Sequence, residues 1–338
     1  MTRRLVPGLE ARRHLIEGYA EFSQIPEEVT AEWKAPFGPA EDWDLTVVDE
    51  VIQGPHGPVP VRLYTPVGAP PDGGRPCLVW MHGGAFSWGD LDMAEAHEVA
   101  RGVAGRADAV VVSVDYRLCP VMPELGGTVG DRVDDLGRPV RFPVPQDDCI
   151  AVLDAVRADP ARFGVDAARV AIGGASAGAS LAASVTLRTM DDDRAPWQTL
   201  LVYPMLHPRV PEPGAELAEA VADAPPALQF PAWMIEATRR TVLGDDPEQA
   251  DDEVFPGLAA DLERFPPTYL ENCEFDAFRA SGELFGARLR AAGVDVVEAT
   301  RAGVPHGHLD IVGFGPARDT LDALAERLAR PVVVDPRR

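Results

Sequence analysis

The sequence predicts an α/β fold: one mostly parallel, eight-stranded sheet with helices on both faces and helical additions over one edge. Three observations carry this reading. From about Leu45 onward, short apolar runs alternate with helix-length segments, the pattern of parallel strands joined by helical crossovers. The pentapeptide Gly174-Ala175-Ser176-Ala177-Gly178 lies between an apolar run, Val170 to Gly173, and an Ala-rich stretch free of proline, so a sharp strand-to-helix turn is expected there. The 338 residues show no linker, internal repeat or low-complexity run, so 1–338 reads as a single domain.

Taken in order, residues 1–44 read as one or two helices joined by loops, outside the alternation. Strands are expected at Leu45 to Ile52 and Val59 to Tyr64, an antiparallel pair around the turn Gln53-Gly54-Pro55-His56-Gly57. Further strands follow at Cys77 to Met81, Ala109 to Asp115, Val170 to Gly173, Leu200 to Tyr203, Thr268 to Asn272 and Asp295 to Thr300. Helices fit Met93 to Gly105, Gln146 to Asp159, Ser176 to Met190, Phe278 to Ala292 and Ala317 to Arg330. Residues 208–262 again break the pattern, with a polar stretch and one apolar-periodic segment, Ala232 to Leu243. Additions of this kind can cover the carboxyl edge of an open sheet, where ligands bind, so 1–44 and 208–262 are cap candidates.

Charge and composition narrow the function classes. A formal charge of -23 argues against nucleic acid or an anionic membrane as partner, because phosphate binding relies on clustered Lys and Arg. No apolar run is long enough to span a bilayer, and the basic N-terminus leads into mixed charges rather than an apolar stretch, so a cytoplasmic location is expected. Cys77, Cys119, Cys149 and Cys273 lie far apart in apolar settings without Cys-x-x-Cys spacing, and read as buried free thiols. Lys34 is the only lysine, and Ser176 is followed by Ala177, Gly178 and Ala179, which excludes Ser-x-x-Lys chemistry.

The chemistry-bearing residues form a serine-hydrolase layout. The chain has seven serines, and Ser176 is the one in the strand–turn–helix setting that exposes a nucleophile. A serine hydroxyl needs a base to take its proton and a carboxylate to orient that base. Asp276, in the turn after Thr268 to Asn272, is the expected acid, with Glu274 as rival. His306, in the loop after the last strand, is the expected base, with His308 as rival. The oxyanion produced by attack on a carbonyl needs preorganised N–H donors, and Gly83, Gly84, Ala85 and Ala177 are placed to supply them. Sequence does not decide which loop amides point inward, and His82 is read as a loop-holding residue.

With these residues the chain resembles the hormone-sensitive-lipase-like branch of the α/β-hydrolases, the bacterial family IV esterases, from about Val59 to Leu309. The resemblance rests on His82-Gly83-Gly84, Gly174 to Gly178, Asp115-Tyr116-Arg117-Leu118-Cys119-Pro120, Tyr203-Pro204, Asp276-Ala277-Phe278-Arg279 and Pro305-His306-Gly307. It implies an α/β-hydrolase fold with a helical cap and a carboxylesterase working through an acyl-enzyme. Four departures stand out. Ala85 replaces the third glycine of the loop, Ala175 stands where many members carry Asp, and His207 stands where Asp is frequent. About twenty extra residues, Val121 to Arg141, separate Pro120 from Phe142 and are expected to border the substrate entrance.

The expected substrate is a small or medium carboxylic ester, with no cofactor and no metal. An amidase or deacetylase of a specialised metabolite, and a lyase or cyclase on the same fold, are the alternatives. A ligand-binding receptor is disfavoured by the intact His306. Oligomeric state stays open, a homodimer being one option.

Overall fold

The computed structural model describes residues 3–121, 124, 127, 132–134, 137–191, 194–244 and 252–331. Its sheet has eight strands: β1 (Leu45–Gly54), β2 (Gly57–Pro66), β3 (Arg75–Met81), β4 (Val110–Val114), β5 (Val165–Ala175), β6 (Thr199–Val202), β7 (Thr268–Cys273) and β8 (Val296–Arg301). They lie in the order β1-β2-β4-β3-β5-β6-β7-β8. The hairpin of β1 and β2 is antiparallel, closed by Gly54 opposite Gly57, and β2 also runs antiparallel to β4. From β4 to β8 every pairing is parallel.

Parallel strands need crossovers, and the helices supply them on both faces. On one face lie α3 (Ala94–Ala107) and α10 (Gly315–Leu328), and on the other α4 (Val144–Ala158), α6 (Ala177–Thr189) and α9 (Arg279–Ala291). Strand β3 shows why its sequence carries no polar alternation: Cys77, Val79 and Met81 join the core under α4 and α6, while Leu78 and Trp80 join the core under α3 and α10. All seven residues of β3 are buried, as a strand covered on both faces requires. Each of the eight expected strands is present, and β5 begins earlier than expected because Val165 pairs with Arg75 before the apolar run starts.

The regions outside the alternation are helical as well. The N-terminal part holds α1 (Pro7–Arg12) and α2 (Glu27–Trp33), and the later part holds α7 (Ala215–Asp223) and α8 (Ala232–Leu243). Sequence reading finds α8 but takes α7 as a polar stretch, because only Leu217 and Ala220 of its nine residues are buried. The short α5 (Pro160–Phe163) is a single turn capped by the Asp159 side chain on the Arg162 N–H. No helix among the described residues is long and apolar enough to cross a membrane.

Candidate active site

Parallel β5 ends at Ala175, and Ser176 turns the chain into α6 with φ 54° and ψ -120°, a conformation costly for any residue with a Cβ. The Ser176 N–H is tied to the carbonyl of Val202 on β6 at 2.9 Å, so the neighbouring strand holds the strained turn in place. The glycine at 178 has a steric cause: a Cβ there would stand 2.1 Å from the carbonyl oxygen of Met81 at the end of β3. Helix α6 can therefore start directly against the sheet only because this position has no side chain.

Loops after β7 and β8 bring the other two groups to Ser176. The Nε2 of His306 lies 2.8 Å from Ser176 Oγ, and its Nδ1 lies 2.6 Å from Asp276 Oδ2. Asp276 is buried, and its second oxygen accepts the Phe278 N–H at 2.9 Å, which fixes the carboxylate at the start of α9. The imidazole is packed on three sides by Tyr203, Phe230 and Phe278, with ring centroids 4.7, 4.8 and 5.4 Å away. Serine, imidazole and carboxylate thus form one hydrogen-bonded line.

Neither rival is available for that arrangement. Glu274 accepts the Gly303 N–H at 2.7 Å and pairs with Arg3 at 2.9 Å. His308 is fully buried, with Nε2 2.9 Å from Thr320 Oγ1 and Nδ1 3.4 Å from Cys273 Sγ, and burial pulls its pKa down to about 4. His82 has its Nδ1 2.7 Å from the Gly83 carbonyl and stacks on Tyr116, and burial again lowers its pKa.

The loop after β3 faces Ser176. The Gly83 N–H donates to Glu95 Oε2 at 2.5 Å and is occupied. Among the described residues no acceptor meets the N–H of Gly84 or Ala85, and the Ala177 N–H, at the first position of α6, is unpaired by the geometry of any helix start. Gly84 adopts φ 106° and a Cβ on it would meet the Trp88 carbonyl at 2.0 Å, so the loop can fold only with glycine there. Five non-glycine residues among those described have positive φ, and four of them, Ala85, Phe86, Ser176 and Tyr203, cluster here. Backbone strain of this kind clusters at active sites and ligand clamps.

These groups open into one cavity of about 630 Å³. Its floor is Ser176, His306 and the Gly84-Ala85 turn, and its walls are mostly apolar: Phe22 and Trp33 from the N-terminal part, Leu228, Phe230, Met234 and Ile235 from around α8. Lys34 and Asp310 also face it and pair at 2.8 Å. Sequence reading did not identify these wall residues, whose only signal was the apolar periodicity of α8.

Two of the departures have described residues outside the cavity lining. None of the described residues of the 121–141 segment lines the cavity. Arg132 instead donates to the carbonyls of Ser87 and Cys119, bracing the back of the Gly84 to Trp88 turn, and Glu124 pairs with Arg240 of α8. Residues 122, 123, 125, 126, 128–131, 135 and 136 of that segment, including Gly126, Gly130, Asp131 and Asp135, lie outside the described residues, as do 245–251 of the second cap candidate. His207 likewise stands away from the cavity lining, with its Nδ1 2.7 Å from Ser281 Oγ, and burial lowers its pKa to about 4.

A serine raised on a strand–turn–helix corner, lined up with histidine and a buried carboxylate across a parallel sheet, defines the α/β-hydrolase class. Comparison with known proteins agrees. The chain matches the family described as alpha/beta hydrolase fold over residues 78–124 and 139–310, and the unmatched stretch between falls inside the 121–141 segment. It is 34% identical to the esterase LipI of Mycobacterium tuberculosis over 278 residues, which cover 81% of this chain and 78% of that protein. Among solved structures, the esterase of Pyrobaculum calidifontis superposes with a TM-score of 0.75 at 26% identity, covering 96% of this chain and 98% of that one. The esterase LipW of Mycobacterium marinum superposes with a TM-score of 0.71 at 29% identity, covering 96% and 95%. The chain belongs to the hormone-sensitive-lipase-like family of α/β hydrolases.

Proposed function

We propose that Ser176, His306 and Asp276 carry acyl transfer from a carboxylic ester to water, with Gly84, Ala85 and Ala177 N–H groups as the oxyanion donors. The single observation behind this reading is the continuous line Ser176 Oγ, His306 Nε2, His306 Nδ1, Asp276 Oδ2, with contacts of 2.8 and 2.6 Å. The chain is a carboxylesterase-like serine hydrolase, a reading that the named esterases among its relatives favour over amide hydrolysis and over lyase or cyclase chemistry.

His306 Nε2 takes the Ser176 proton as Oγ bonds to the ester carbonyl carbon, and the negative charge moves to the carbonyl oxygen. That oxygen is met by the amides of the Gly84-Ala85 turn and of Ala177, which need not reorient during the reaction. Asp276 keeps the Nδ1 proton in place and stabilises the imidazolium. The imidazolium then protonates the leaving alkoxide, the C–O bond breaks, and the acyl group stays on Ser176. In the second half His306 deprotonates a water that attacks the acyl carbon, the acyl–Oγ bond breaks, the imidazolium returns its proton to Ser176 Oγ, and the acid is released.

The cavity supports an acyl or alcohol part of small to medium size and low polarity, since its walls are aromatic and aliphatic side chains. The segments around α2 and α8 act as the cap in this reading. The free, buried thiols Cys77, Cys119, Cys149 and Cys273 favour a reducing, cytoplasmic setting. The test is a series of p-nitrophenyl esters of increasing acyl length, run beside fluorophosphonate labelling of the same sample. Turnover that falls away at long chains, with labelling at Ser176, is expected. A labelled protein that turns over no ester contradicts the ester assignment.

A further inference from the structure

The oxyanion loop is held by a carboxylate that the acyl-transfer steps do not use. Glu95, in the first turn of α3, is only 3% exposed, yet each of its oxygens has a separate partner. Oε2 accepts the Gly83 N–H at 2.5 Å and Oε1 accepts the Tyr203 hydroxyl at 2.6 Å. Its main-chain carbonyl accepts the Trp80 indole N–H at 2.9 Å, which pins the start of α3 beneath the end of β3. Tyr203 follows β6 with φ 40°, and its ring lies 4.7 Å from that of His306. One side chain therefore reaches from the loop after β3, through the residue after β6, to the imidazole.

We propose that Glu95 is a positioning residue of the active site: by holding the Gly83 N–H it turns the next two amides toward the cavity, and through Tyr203 it sets the plane of His306. This inference rests on the acyl-transfer reading above. The loop needs such a hold because this chain has alanine where a third glycine is expected, and Ala85 sits at φ 50°, a conformation that persists only when its surroundings impose it. With Gly83 tied back, the following peptide units are free to face the carbonyl oxygen.

The hold is strongest with Glu95 ionised, when both oxygens are pure acceptors. Burial is the largest influence on it and pushes its pKa up to about 7, the charge of Asp310 adds to the rise, and the hydrogen bonds from Tyr203 and Gly83 together with His306 oppose it. Asp310 is itself paired with Lys34 at 2.8 Å. A carboxylate with a raised pKa is ionised above that value, so acidification through about pH 7 protonates one oxygen, turns it into a donor and weakens the hold on its partner.

The experiment uses the full chain with Glu95→Gln, which keeps size and removes one acceptor. Three changes are expected together. The kcat falls about 10- to 100-fold with KM changed by less than about threefold. Affinity for a boronic acid, which forms a tetrahedral adduct on serine, falls in step with kcat/KM. The acid limb of the pH profile loses its component near 7. Where Glu95→Gln does not fold, Tyr203→Phe decides, since it keeps the ring against His306 and removes only the hydroxyl held by Glu95. A fall in kcat of about three- to tenfold with a changed acid limb is then expected. A folded variant that only melts at lower temperature, with kcat, boronate affinity and pH profile unchanged, overturns the proposal. Failure of the acyl-transfer reading would look different, because the parent itself would then hydrolyse no ester.

Discussion

The floor and the walls of the cavity are built by different physics. On the floor, Ser176, His306, Asp276 and the Gly84-Ala85 turn come from strand ends of one mostly parallel sheet, and the side-chain polar atoms of Ser176, His306 and Asp276 each have a partner at hydrogen-bond distance. The walls come from segments outside the sheet, around α2 and α8, and meet the cavity with Phe22, Trp33, Phe230, Met234 and Ile235. Polar contacts are directional and the sheet ladder fixes their origin, so the floor tolerates little change. Apolar contacts are not directional, so the walls can vary in shape without disturbing the chemistry. Floor substitutions should therefore move kcat, and wall substitutions should move the choice among substrates.

The largest effect expected is that of Ser176→Ala, which should lower kcat by roughly four to six orders of magnitude in steady-state ester hydrolysis. Near-normal activity would remove Ser176 from the floor altogether. Next, Asp276→Asn presents His306 with a donor in place of an acceptor and should cost on the order of 10⁴ in kcat. Glu274→Gln, which touches Gly303 and Arg3 instead, should cost little, and the reverse ranking would exchange their roles.

On the walls, Met234→Trp should narrow the cavity and lower kcat/KM for long-chain esters relative to short ones by about tenfold, with kcat on the short ester kept within about threefold. A uniform loss across chain lengths would mean that α8 belongs to the floor. The smallest effect is predicted for Arg132→Ala. Its guanidinium braces the Ser87 and Cys119 carbonyls behind the Gly84 turn without lining the cavity. A loss of less than about tenfold, equal for all esters, is expected. A changed ranking of esters would place the 121–141 segment at the substrate entrance.

The floor was far more legible in the sequence than the walls. Glycine motifs report steric facts: Gly178 must clear the Met81 carbonyl and Gly84 the Trp88 carbonyl, so the residue types survive as readable signals. The strands were legible for a related reason, since β3 and β4 are buried on both faces and, apart from Arg75 at the start of β3 and Ser113 in β4, carry only apolar residues. By contrast, α7 is nine residues long and buries only Leu217 and Ala220, a short signal set within a polar stretch. The partner of Gly83 was not legible either. Glu95 is twelve residues away in sequence and resembles any first-turn helix glutamate, and only the fold places it beneath the loop. The same holds for Arg132, whose target carbonyls carry no sequence information.

The central claim is that Ser176 carries the acyl group between the two halves of the reaction. Rapid acid quench during turnover of a slowly deacylating p-nitrophenyl ester, followed by peptide mass spectrometry, tests it most directly. The peptide containing Ser176 should gain the mass of the acyl group, in step with a burst of p-nitrophenol, and Ser176→Ala should show neither. Acylation of another residue, or hydrolysis by the Ser176→Ala variant at the parent's rate, would contradict the account.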